Sequence, residues 1–130
     1  MRSLFSLTIA AAVVATLSAQ SKNGDEPLKN PVKADVVSIA AGKKLYDSNC
    51  APCHGDSAKG DGRMASQFNP KPADLTDAEW THGSSDGDIF VVLRDGVKNT
   101  GMKGVGSKMT AHQMWDVINY VRSLGPQKSH

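Results

Sequence analysis

"NCAPCHG", residues 49–55, holds both cysteines of a 130-residue chain, and a histidine follows the second directly. Positions i, i+3 and i+4 share one face of a helical turn, so Cys50, Cys53 and His54 aim two thiols and one imidazole in the same direction. C-x-x-C-H is the attachment signature of c-type haem: thioether bonds from Cys50 and Cys53 to the two vinyl groups would bring His54 to the iron as proximal ligand. Other uses of the pair need more than the sequence offers. Zinc wants four ligands, and His82, His112 and His130 are too scattered to complete a set. A redox dithiol belongs to a strand–helix unit, whereas the residues before Cys50 read as helix and no parallel sheet is in sight. A disulfide would close a tiny loop and gain little.

Working outward, residues 1–20 have the layout of a secretory signal peptide: Arg2, an uncharged and mostly apolar run over 4–17, then small residues around Ala19. Cleavage is expected after Ala19 or Ser21, with export to the periplasm. A retained membrane anchor is less well supported, because the run falls short of the ~20 apolar residues a spanning helix needs. Without residues 1–19 the chain keeps 14 basic and 13 acidic residues, spread along its length. That balance gives no field to hold nucleic acid. The remaining length suffices for one small domain.

The sequence predicts an all-α domain over 37–125, preceded by a flexible polar arm over 21–36 that carries Pro27, Pro31 and alternating charges. About four helices with long loops are expected. Ser38 caps the first, which runs to about Asn49. Thr76 to Glu79 reads as a capping box opening a short helix that reaches Trp80. Ser85 and Asp88 repeat that logic ahead of "IFVVLRD", and Gly96 ends the helix; a strand there would lack a partner. The last helix opens on Thr110 and Gln113, with Met114, Val117, Ile118, Val121 and Leu124 on one stripe opposite His112, Asp116, Asn119 and Arg122. Gly125 and Pro126 close it.

Aromatic residues make up only 5% of the chain, so little is left to fill a core. A porphyrin is a large flat apolar body around which such helices can wrap. Without it they would enclose a void far larger than the single-side-chain cavities that already cost about 2–5 kcal/mol.

The ligand on the iron's other face separates an electron carrier from a gas binder or peroxidase. Met114 lies on the apolar stripe of the last helix and reads as core filler. Met109 precedes Thr110, where an apolar residue staples the helix start. Met64 lies in a glycine-rich loop near the proximal side. Met102, in the glycine-bounded loop "NTGMKGVGSK", has no packing role to explain it and is the expected distal ligand, with Met109 and Met64 as the other possibilities. His82 would give a bis-histidine iron, yet a lone loop histidine is more often solvated.

Gly42, Tyr46 and Cys50 at spacing four, "CAPCHG", the loop "KGDG", "KPADL", "GM" after the third helix, and Val117 with Tyr120 in "WDVINYVRSL" together resemble class I monohaem cytochromes c of bacteria. The resemblance implies a small cytochrome c fold around one covalently attached haem c. In it the first and last helices cross closely at Gly42, and Tyr46 packs on Val117 and Tyr120. The family's iron ligands fall on His54 and Met102. A proline carbonyl, here Pro70 or Pro72, would receive the ring N–H of His54. The family often follows its methionine with proline and an aromatic residue two further on; this chain has Lys103 and Val105, which implies a looser loop and a cation near the haem edge.

The function these expectations point to is that of an exported electron carrier of a respiratory chain, with no catalytic residues and no metal other than haem iron. Its partners would be redox proteins: a membrane oxidoreductase complex, a terminal oxidase or a periplasmic reductase. Lys59, Lys71 and Lys103 would face them. Two other readings remain. One is the cytochrome subunit of a larger dehydrogenase or reductase; the other, if Met102 does not ligate iron, is a ligand-binding or peroxidatic haem protein.

Overall fold

The computed structural model describes residues 27–126. The signal-peptide reading over 1–20 and the first part of the expected arm lie outside the described residues.

Helix α1 spans Val36–Asn49 and begins one residue after Asp35, whose carboxylate accepts from the N–H groups of Val37 and Ser38 at 3.1 and 3.0 Å. The cap expected at Ser38 is therefore corrected. An acceptor-only carboxylate takes both orphan donors, which frees the Ser38 hydroxyl to donate inward to Asp116 Oδ1 at 2.6 Å. A single turn, α2 (Ala51–His54), comes directly after and places Cys50 at the junction. After a long loop containing a short 3-10 turn at Ala65–Gln67 comes α3 (Asp86–Asp95), then α4 (Ala111–Leu124). Four α-helices and no strand, only an isolated bridge between Gly96 and Lys103, make up the described residues. The all-α expectation holds.

Two of the three expected capping boxes form, Ser85 with Asp88 on α3 and Thr110 with Gln113 on α4. The helix expected after Thr76 does not; 76–83 is turn and bend. Asp74 is the cause: its Oδ1 accepts from both the Thr76 N–H (2.8 Å) and its hydroxyl (2.6 Å), so the threonine is committed to a local turn and cannot cap a helix. Trp80 is held instead through its backbone N–H to Ser84 Oγ at 2.8 Å, and lies under the Arg122 guanidinium, 5.5 Å from the ring centre.

The core sits where α1 crosses α4. A methyl group on Gly42 would stand 1.9 Å from the Asp116 carbonyl oxygen, so only glycine allows these backbones to meet. Tyr46 is fully buried beside Tyr120, their ring centres 5.2 Å apart. Helix α3 completes the core by stacking Phe90 on Trp115 at 4.2 Å.

Helix α4 departs from the expected two-faced pattern, since Asp116 and Asn119 are buried along with the apolar stripe. Their partners explain it. Asp116 accepts from Ser38, while the Asn119 amide donates to Ser38 Oγ (2.9 Å) and to the Val32 carbonyl (3.2 Å) and accepts from Asn30 Nδ2 (2.8 Å). The described part of the arm is thus no solvated tail: from Asn30 onward it is laced to α4, with Val32 packed against the core. Hydrogen bonds to a buried polar residue outweigh the polar composition that suggested a free segment.

Candidate functional site

Helix α2 owes its existence to the end of α1. Cys50 closes α1 through its N–H to the Tyr46 carbonyl and opens the next turn through its own carbonyl, which accepts from Cys53 and His54 at 3.0 and 2.8 Å. Cys50, Cys53 and His54 therefore share one turn, as the spacing required. The next loop folds back under this turn and satisfies its carbonyls: Met64 donates to Pro52, Gly62 to Cys53 and Gly60 to His54. Tyr46 adds its hydroxyl, donated to the Gly55 carbonyl at 2.7 Å.

His54 is buried, and its Nδ1 lies 3.0 Å from the carbonyl oxygen of Ala73. A carbonyl only accepts, so Nδ1 carries the proton and Nε2 is left with a free lone pair. Burial lowers the pKa of the ring, against the opposing pull of that carbonyl, which keeps the imidazole neutral. The acceptor is neither Pro70 nor Pro72: the Pro72 carbonyl faces Gly60, 2.3 Å from where a methyl group there would sit, and the next carbonyl in the chain reaches the histidine.

The cysteines are not disulfide-bonded and are both half-buried. Burial first, then the neighbouring Cys53, pushes the Cys50 thiol up to about 12. A thiol held uncharged disfavours a metal thiolate at Cys50. No cluster of three or more histidine, cysteine or acidic side chains able to hold a metal ion is found among the described residues.

Met102 enters from a separate loop and packs, partly buried, against the same hydrophobic cluster as Cys50. Met114 and Met109 are buried members of that core, in keeping with their expected packing roles. His82 is exposed. The Met102 loop is better fixed than its lack of proline implies. Its carbonyl accepts from Val97 N–H at 2.9 Å, its N–H donates to Thr100 Oγ1 at 3.1 Å, and that hydroxyl donates to the Val97 carbonyl at 2.8 Å. Two thiols and a neutral imidazole on one turn, with a thioether on another loop of the same core, form a donor set that fits a covalently attached haem.

Sequence reasoning missed three contributors: the Ala73 carbonyl, the Arg122–Trp80 contact and the ring of Phe68, which lies against Gly101. A backbone acceptor leaves no trace in residue type, and the other two are contacts between distant segments.

The Cytochrome c family profile matches residues 39–125. Among curated proteins, the chain is 33% identical over 101 residues to the Cbb3-type cytochrome c oxidase subunit CcoP of Rhodobacter capsulatus, covering 71% of this chain and 31% of that one. It is 30% identical over 89 residues to the Cbb3-type cytochrome c oxidase subunit FixP of Bradyrhizobium sp., covering 68% and 28%. The chain thus spans about a third of the length of these relatives. Among solved structures, it superposes on a chain of the reducing HAO-like protein complex of Kuenenia stuttgartiensis with a TM-score of 0.68 and 30% identity, covering 74% of this chain and 47% of that one. Cytochrome cL of Methylophaga aminisulfidivorans shares the fold, with a TM-score of 0.61 at 22% identity over 82% of this chain and 72% of that one.

Proposed function

The chain belongs to the cytochrome c family and carries one covalently attached haem c, and from that premise we propose that it is an exported carrier of single electrons between respiratory partners, without catalysis of its own. When bound, the haem supplies a one-electron ferrous/ferric couple. Cys50 and Cys53 anchor it at two points of the attachment turn. His54 offers Nε2 to the iron because Nδ1 is committed to Ala73, and that hydrogen bond fixes the ring's orientation. Met102, on a separate loop of the same core, would supply a thioether ligand. With both His54 and Met102 as ligands the haem would serve outer-sphere electron transfer, and apolar surroundings would favour its less charged reduced state.

The observation that carries this reading is the joint placement of Cys50, Cys53 and a His54 whose Nε2 is free. Visible spectra of the purified protein in both redox states test it. Low-spin haem with histidine and methionine ligation, unreactive towards carbon monoxide at neutral pH, is the expected result. Rapid, complete carbon monoxide binding would favour a ligand-binding or peroxidatic haem instead.

Residues 1–20 act as the export signal in this reading, and 37–125 as the haem domain. The periplasm is the proposed location; no helix among the described residues is long and apolar enough to cross a membrane. Lys59, Lys71 and Lys103 are exposed and would meet an acidic partner, so electron-transfer rates should fall as salt rises.

A second reading is favoured by the relatives, which are named as subunits of an oxidase or belong to an HAO-like complex. In it the chain serves as the cytochrome component of a larger assembly. Co-purification of a second polypeptide from the native source would select this reading; a monomeric holoprotein that exchanges electrons freely would select the carrier.

A further inference from the structure

We propose that Phe68 is a positioning residue for Met102, a latch that registers the distal loop against the cysteine–histidine turn. The inference rests on Met102 being the distal ligand.

The contact is confined to a few residues. Gly101 directly precedes Met102, and a methyl group on it would stand 2.2 Å from Cδ1 and 2.6 Å from Cε1 of Phe68. The ring therefore lies against the backbone of the Met loop at Gly101. Gly101 is not among the glycines with positive φ, so close approach, and not backbone conformation, is what requires glycine here. Phe68 in turn is fixed to the proximal side. It ends the 3-10 turn Ala65–Gln67, donating its N–H to the Ala65 carbonyl, while Ala65 is bonded to Gly62 and Met64 to Pro52 within the cysteine–histidine turn. A short chain of contacts thus runs from Pro52 through Phe68 to Gly101 and the residue beside it.

The chemistry gives this contact a task. Where proline would have stiffened the residue after the methionine, Lys103 leaves that restraint to tertiary contacts, of which its pairing with Gly96 is one. The hydrogen bonds to Val97 and Thr100 tie the loop to the end of α3. With the Val105 and Gly106 N–H groups bonded to the Leu93 and Arg94 carbonyls, they hold the loop along its α3 side. The Phe68 ring meets the loop at Gly101, a separate point of contact next to the methionine. An iron–thioether bond is weak and exchangeable, and its occupancy is set by how much freedom the loop has when the sulfur is released.

The test uses the full-length holoprotein. Phe68→Ala, Phe68→Leu, Gly101→Ala and the double variant Phe68→Ala/Gly101→Ala are compared with Met102→Ala and the wild type. Three properties are read: mass of the attached haem, the far-red charge-transfer band of methionine-ligated ferric haem, and carbon monoxide affinity of the reduced protein. Phe68→Ala should keep its haem, weaken the band and raise apparent carbon monoxide affinity about tenfold, because the gas competes with a methionine that is bound less of the time. Phe68→Leu should restore most of the band. Gly101→Ala should weaken the band by collision with the ring, and removal of the ring in the double variant should recover part of that loss, a coupling that general destabilisation does not produce. If Phe68→Ala and Gly101→Ala both keep wild-type bands and gas affinity while Met102→Ala loses the band, the latch is overturned and the ligand assignment stands. If Met102→Ala leaves the wild-type spectrum unchanged, both fall.

Discussion

The α carbon of Gly42 faces the carbonyl of Asp116 so closely that a methyl group there would overlap it at 1.9 Å, and backbone atoms lie on both sides of the contact. Neither helix can yield by turning a side chain. The crossing of α1 and α4 is therefore set at this point, and the cysteine–histidine turn that continues α1 is placed by it.

Gly42→Ala should destabilise the holoprotein by about 3 kcal/mol, lowering Tm by more than about 10 °C, with haem still attached in whatever fraction folds. Thermal melts followed at the Soret band check this. An unchanged Tm would mean that the crossing relaxes freely.

Tyr46→Phe removes the hydroxyl bonded to the Gly55 carbonyl, which keeps a second donor in the Ala58 N–H. The loss should be modest, about 1 kcal/mol. Denaturant titration of the two holoproteins measures it.

Burial also raises the Tyr46 phenol above the ordinary tyrosine range. A folded-state pKa above the unfolded value means that the native state holds the proton more tightly. The associated stability is complete below the unfolded value of about 10 and is lost as pH climbs towards the folded one. Tyrosinate absorbance should therefore rise identically in wild type and Tyr46→Phe up to the pH of alkaline unfolding. A distinct Tyr46 titration near its ordinary pKa would contradict the burial.

Arg122 donates Nε to Asp86 at 2.8 Å, bonds the Ser84 carbonyl and covers Trp80. The pair is partly exposed, so Arg122→Ala should cost only about 1 kcal/mol globally. Its local effect should be larger: the Trp80 amide, bonded to Ser84 Oγ, should exchange with solvent markedly faster. Hydrogen exchange on the holoprotein reads this, and Arg122→Lys, which lacks the planar fork, should restore it incompletely.

Preventing attachment with Cys50→Ala/Cys53→Ala should leave the chain largely unfolded. In the proposed reading the haem would complete the core, and the few buried aromatic residues could not offset the void its loss would leave. Far-ultraviolet circular dichroism with native helix content and a sharp melt would refute this.

Local chemistry was readable without a structure. The capping boxes at Ser85 and Thr110, the stop at Gly96 and the single-turn placement of Cys50, Cys53 and His54 depend on residues at most four apart. Interactions of that range are written in spacing. The errors arose where a nearby competitor intervened, as Asp35 took the cap assigned to Ser38 and Asp74 took the threonine assigned to a helix.

Residue types and their spacing thus determined the fold class, the attachment turn and the capped starts of α3 and α4. Tertiary structure alone decided that Ala73 holds His54, that Asp116 and Asn119 turn inward to meet Ser38 and Asn30, and that Phe68 rests on Gly101. The physical reason is common to all three. A backbone carbonyl, a buried amide and a bare α carbon acquire meaning only from the group opposite, and that group arrives from a segment tens of residues away once the chain has folded.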